Sequence, residues 1–143
     1  MKYFLTKKKL LESLIFLLII LLGSFLRFWQ LDKYPPSLFF DEVSNGYNAY
    51  SILKTGRDEY GNFLPLTIRS FGDYNPALSA YLLIPSIAVF GLTDFAVRFP
   101  SALLGVMTVG ALFFLSLKVF NDKKIAFFSS FLLAISPWHL QFS

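Results

Sequence analysis

Residues 10–29 form a run of 20 amino acids in which only Glu12 and Arg27 are charged, both near its ends. As a helix rising 1.5 Å per residue the run is about 30 Å long, one bilayer hydrocarbon core. Within lipid every backbone N–H and C=O must be paired inside the segment, so the run predicts a membrane-spanning helix. A secretory signal peptide also places lysines before an apolar stretch. Here, however, Arg27, Phe28 and Trp29 follow in place of a small-x-small cleavage site. The segment therefore reads as an uncleaved anchor, with Trp29 in the interfacial belt.

The rest of the chain agrees. Hydrophobic residues make up 55% of its 143 positions and charged residues 15%, against about a quarter charged in soluble domains. Phe99–Leu117 holds 19 residues without a charge, and after the Asn121-Asp122 break Ile125–Leu140 begins a third apolar block. Three spans are predicted, at about residues 10–29, 97–119 and 125–143. Ser101, Gly105 and Thr108 mark a side of the second where another helix can approach closely. Asp122 is the expected cap of the third, and Ser136-Pro137 its bend. The third block runs to Ser143 without a polar tail, so a longer polytopic protein is expected, with these residues as its N-terminal part. Without cysteine there is neither a disulfide framework nor a thiolate metal site, and one histidine, His139, builds no zinc site alone. No cofactor is identified with certainty, and a divalent metal is left open but not indicated. The net charge of +4 sits at the flanks of the apolar blocks, not in a basic stripe with interleaved aromatics, which argues against nucleic acid as a partner.

Residues 30–94 are expected to form one external loop. Within it Glu42–Lys54 reads as a short amphipathic helix with Val43, Tyr47 and Tyr50 on one face, Asp41 as N-cap and Gly56 as terminator. Asp58–Asn62 reads as a turn. Asn75-Pro76 reads as the start of another helix, with Asn75 as cap and Pro76 at its first position. That helix, Ala77–Phe90, contains Pro85 and is short for a span. Lysine placement orders these pieces. Lys2, Lys7, Lys8 and Lys9 precede the first block, and Lys118, Lys123 and Lys124 precede the third. Positive loops favour the cytoplasm, and both clusters lie inside if an even number of crossings separates them. Ala77–Phe90 then lies along the outer surface, with the N-terminus cytoplasmic and the protein in the plasma (inner) membrane.

The external loop holds one constellation that resembles a site, Phe39-Phe40-Asp41-Glu42. Two carboxylates at a helix N-terminus first suggest capping and dipole complementation. Their setting suggests more. Trp29–Leu66, reading WQLDKYPPSLFFDEVSNGYNAYSILKTGRDEYGNFLPL, resembles the first external loop of polyprenyl-phosphate-sugar-dependent glycosyltransferases. These are the dolichyl-phosphate-mannose–protein mannosyltransferases and the related lipid A aminoarabinose transferases, glycosyltransferase family 39. Val97-Arg98-Phe99-Pro100-Ser101-Ala102-Leu103-Leu104-Gly105 resembles the opening of that family's second crossing, and Ser136-Pro137-Trp138 the end of its third.

The resemblance implies an all-α, polytopic membrane protein: part of a C-type glycosyltransferase helical bundle with external membrane-parallel helices. It implies sugar transfer from a polyprenyl-phosphate-linked donor, among membrane lipids, to an acceptor hydroxyl at the extracytoplasmic face with inversion. Asp41 is the implied general base and Glu42 orients it or the acceptor. Arg98 is the implied contact for the leaving phosphate, although an arginine at a span end also snorkels to water. Relatives often carry Lys-Pro or His-Pro where this chain has Asn75-Pro76, so Asn75 brings to the phosphate a hydrogen bond without charge. His139 reads as core packing. Residues 1–143 alone are expected to be inactive. The alternative is a non-catalytic binding or scaffold module whose external loop docks a partner; a transporter is disfavoured because the spans hold no buried carboxylate.

Overall fold

The computed structural model describes residues 2–70 and 72–141, without the side chains of residues 2–6 and 8. The end of the expected third span, residues 142–143, and the side chains of Lys2 and Lys8 lie outside the described residues. Among the described residues the regular elements are helices apart from one short hairpin. The elements in order are α1 (Lys2–Phe28), α2 (Phe40–Thr55), β1 (Thr67–Ser70), β2 (Asp73–Pro76), α3 (Leu78–Phe90), α4 (Asp94–Phe120), α5 (Lys123–Ile135) and α6 (Pro137–Gln141). They form two compact units, residues 1–29 with 101–143 and residues 30–100.

The first unit is built from apolar helices. Lys9–Phe28 and Asp94–Phe120 are each long and apolar enough to cross a membrane. The stripe of α4 buried in this unit is Ala102, Gly105, Val109, Phe113 and Ser116, a helical i, i+3, i+7 pattern. Only Gly105 of the expected small-residue side belongs to it. Ser101 and Thr108 are exposed, and Thr108 Oγ1 donates back to Leu104 O at 2.8 Å. Ile19, Val109 and Ala134 form the core, and the Phe113 ring lies 4.6 Å from Phe16 and 4.9 Å from Phe127. Asn121, at φ 50°, ends α4, and the Asp122 carboxylate accepts from Lys124 N to cap α5. α5 stops after 13 residues because Ser136 is extended before Pro137. The third apolar block is thus a helix, a break and a short helix, where a single bent span was expected.

The second unit packs α2 on α3 around Ala49, Ile68, Ala77, Ala80, Leu83, Ile87, Ala96 and Val97. The buried face of α2 differs from the expected one. Ser44, Gly46, Asn48, Ala49 and Ile52 go inward, while Val43, Tyr47 and Tyr50 are exposed. Close packing explains this: a Cβ on Gly46 would lie 2.8 Å from Val97 Cγ2. Asn48 is fully buried yet satisfied, since its Nδ2 donates to Ser44 O and Glu59 Oε1 and its Oδ1 accepts from Glu59 N. The Asp58 carboxylate accepts from Tyr60 N, Asn62 N and Asn62 Nδ2, so Asp58–Asn62 is a closed turn.

The helix expected to start at Asn75-Pro76 is corrected. Asp73–Pro76 is a strand pairing antiparallel with Thr67–Ser70, in the register Ile68↔Asn75 and Arg69↔Tyr74. Gly72, at φ 98°, makes the turn, and Pro76 falls at the strand end, where no further ladder donor is needed. α3 therefore starts at Leu78. Pro100 leaves Ala96 O without its helical donor, and Ser86 Oγ supplies one at 2.7 Å.

Candidate active site

The N-terminus of α2 is where the expected site residues meet. Its N-cap is Phe39 rather than Asp41, and Asp41 and Glu42 fall in the first turn. Phenylalanine offers no side-chain acceptor. Glu42, three residues on, reaches back instead, and its Oε2 accepts from Phe39 N at 2.7 Å, the second half of a capping box. Capping thus belongs to Glu42.

Glu42 is further fixed by Arg98, whose Nε donates to Glu42 Oε1 at 3.2 Å. Arg98 is 6% exposed, and the snorkelling alternative does not apply to it. Its Nη1 donates to Leu31 O (3.1 Å) and Pro35 O (3.0 Å), and its Nη2 to Ser37 O (2.9 Å) and Glu42 Oε2 (3.5 Å). A guanidinium has five N–H donors, and all five are directed at these acceptors. Arg98 is therefore a clamp on residues 31–37 and on Glu42. The early turns of α4 hold it in place, where Thr93 Oγ1 accepts from Ala96 N.

Asp41 is the opposite case. It is exposed, and among the described residues its carboxylate accepts no hydrogen bond. It lines an open cleft of about 500 Å³ with Phe39, Phe40, Ser70, Asp73 and Asn75. The hairpin register brings Asn75 there: Ser70, Asp73 and Asn75 share one face, since alternate strand residues point the same way. Of the four expected site residues, Asp41 and Asn75 thus meet in the cleft. Glu42 stands behind Asp41, and Arg98 behind Glu42. Sequence reasoning missed Asp73 and Ser70, because residues 67–76 carry no regular apolar–polar alternation and only the strand pairing brings the two together. Phe39 and Phe40, at 72% and 71% exposed, give the cleft an apolar lip.

A second buried arginine also escaped the sequence reading. In the first unit Arg27 is 4% exposed; its Nη1 donates to Gly23 O and to Ala134 O, and its Nη2 lies 2.6 Å from His139 Nδ1. Arginine is always the donor, so Nδ1 of His139 is the acceptor. An arginine inside an apolar run was the signal.

Two helices are long and apolar enough to cross a membrane, and the second unit holds an open cleft in which the Asp41 carboxylate lies beside exposed phenylalanines. Residues 74–143 match the family model described as dolichyl-phosphate-mannose-protein mannosyltransferase. The resemblance to that family is borne out over this segment, about half of the chain, and the matched family implies membrane glycosyltransferase activity broadly. Asn75 and Arg98 lie inside the matched residues; Asp41 and Glu42 precede them. No curated protein and no solved structure matches the chain.

Proposed function

We propose that this protein transfers a sugar from a polyprenyl-phosphate donor to an acceptor hydroxyl at the extracytoplasmic face of the plasma membrane, with Asp41 as general base. The observation that carries the reading is the different state of two adjacent carboxylates. Both oxygens of Glu42 are held by Arg98 and Phe39 N, while Asp41 has no partner among the described residues and faces a cleft. A base must reach a substrate proton; Asp41 can, and Glu42 is engaged. The apolar lip of Phe39 and Phe40 suits a donor whose tail is a lipid. In this reading residues 10–29 and 97–119 cross the membrane, residues 125–143 supply a third, broken span, and residues 30–94 are external.

The acceptor oxygen attacks C1 of the sugar from the face opposite the phosphate. Its proton passes to Asp41, the C1–O bond to phosphate breaks, and the polyprenyl phosphate leaves with the electron pair, which inverts the anomeric centre. Asn75 donates a hydrogen bond in the cleft. Arg98 is a positioning residue acting through Glu42, since its donors are already directed elsewhere.

Asp41→Asn tests this with almost no change of shape. In the full-length protein turnover is expected to fall about 10²–10⁴-fold, the usual span of a general-base contribution, at unchanged abundance and donor binding. Near-normal turnover would remove Asp41 from the mechanism.

A further inference from the structure

The hairpin has two faces, and the second carries a cleft of its own. Arg69 and Tyr74 are directly paired across the strands, and Thr67 shares their side of the pleat. With Tyr60, Asn62, Pro65 and Leu66 they line a hollow of about 430 Å³, within the roughly 300–1,000 Å³ usual for small-molecule sites. Ser70, Asp73 and Asn75, on the other face, line the Asp41 cleft.

We propose that this second cleft binds a saccharide bearing an anionic group. Tyr60 and Tyr74 are 54% and 65% exposed, so each offers a ring face on which a sugar's C–H groups can pack and a hydroxyl for polar contact. Arg69 lies over Tyr60, 5.4 Å from the ring centroid. Stacking orders a guanidinium while leaving its in-plane N–H fork open, and among the described residues that fork has no carboxylate within ion-pair distance. Among the described residues Arg69 is the only charged one lining the cleft. A planar fork matches the two oxygens of a carboxylate or phosphate. Asn62 Nδ2 is occupied by Asp58, which leaves Asn62 Oδ1 to accept from a sugar hydroxyl. A concave hollow with a threonine, an amide and a guanidinium fits a hydroxylated ligand better than a lipid surface.

The site does not depend on Asp41, and the experiment keeps the two apart. The full chain in phosphatidylcholine nanodiscs is titrated by calorimetry with a galacturonate hexamer and with maltohexaose. The charged hexamer is expected to bind about tenfold more tightly, the size of one charge-assisted hydrogen bond. Arg69→Gln removes that preference, Tyr60→Ala weakens both ligands, and Asp41→Asn leaves both unchanged. A bimane on Leu66→Cys, in this cysteine-free chain, shifts to the blue on saccharide addition, at about tenfold lower concentration of the charged hexamer than of maltohexaose. Wild-type affinity in both Arg69→Gln and Tyr60→Ala overturns the proposal. So does a blue-shifted label in nanodiscs without saccharide, which would place the hollow in lipid.

Discussion

Replacing Arg98 by methionine keeps an unbranched apolar stem as far as the Nε position and removes every donor the arginine offers. Four groups lose a partner: the carbonyls of Leu31, Pro35 and Ser37, and the Glu42 carboxylate. Their costs are unequal. Pro35 and Ser37 are exposed, and Glu42 is 32% exposed, so water replaces much of what they lose. Leu31 is buried, and an unsatisfied buried carbonyl costs about 1–3 kcal/mol. Adding a remnant from Glu42 gives about 2–3 kcal/mol for anchoring residues 31–39, or about a 30- to 150-fold rise in local opening. Amide hydrogen exchange over 31–39 and the first turn of α2 reads that opening, with α3 as the internal reference. Arg98→Lys should fall between, because an ammonium keeps charge but loses the fork. Protection of 31–39 unchanged in Arg98→Met would show that the clamp is not what holds this loop, and would take the positioning role from Arg98.

Three further outcomes follow from particular contacts. Gly46→Ala should destabilise the second unit by about 1–3 kcal/mol through overpacking, despite the gain of up to about 1 kcal/mol in helix propensity. The added Cβ meets Val97, a stiff β-branched side chain, at 2.8 Å; a higher melting temperature would contradict that packing. His139→Leu should cost about 1–3 kcal/mol by stripping Arg27 Nη2 of its acceptor. The Arg27→Met, His139→Leu double variant should lose less than the two single losses added together; simple additivity in thermal unfolding would mean the pair is not coupled. For topology, a cysteine at Thr67 should react with an impermeant thiol reagent on intact cells and one at Asn121 should not. Labelling at 121 from outside would defeat the proposed arrangement.

The apolar helices were legible in sequence because their cause is local: a long run of leucine, isoleucine and phenylalanine has one way to satisfy its backbone in lipid. The same holds for the αL end of α2 at Gly56 (φ 70°) and for the Asp122 cap. The hairpin was not legible. Asp73-Tyr74-Asn75-Pro76 contains poor strand formers, and Asn-Pro is also a good way to begin a helix. Its strand state comes from pairing with Thr67–Ser70 and from Ala77 N donating to Leu66 O, choices made by tertiary contact. The inward face of α2 was misassigned for a related reason. Size was taken as the guide to burial, whereas close approach of Val97 selects glycine and alanine there.

What the sequence withheld about the site is the division of labour between its two carboxylates. Asp41 and Glu42 are adjacent and chemically alike, so no local rule separates them. The difference arises from Arg98, 56 residues from Glu42 in the chain, and from a helix whose N-cap backbone N–H is already served by Glu42. Once Glu42 is both cap and ion-pair partner, the Asp41 carboxylate complements the helix dipole but has no hydrogen-bond partner among the described residues. A carboxylate without a hydrogen-bond partner among the described residues, set in a cleft beside Asn75, is the one expected to take a proton from a substrate. The clamp also explains how the resemblance to known transferases and the physical reading fit together. The arginine expected to touch phosphate holds the glutamate in place, and that leaves the aspartate beside it unpaired.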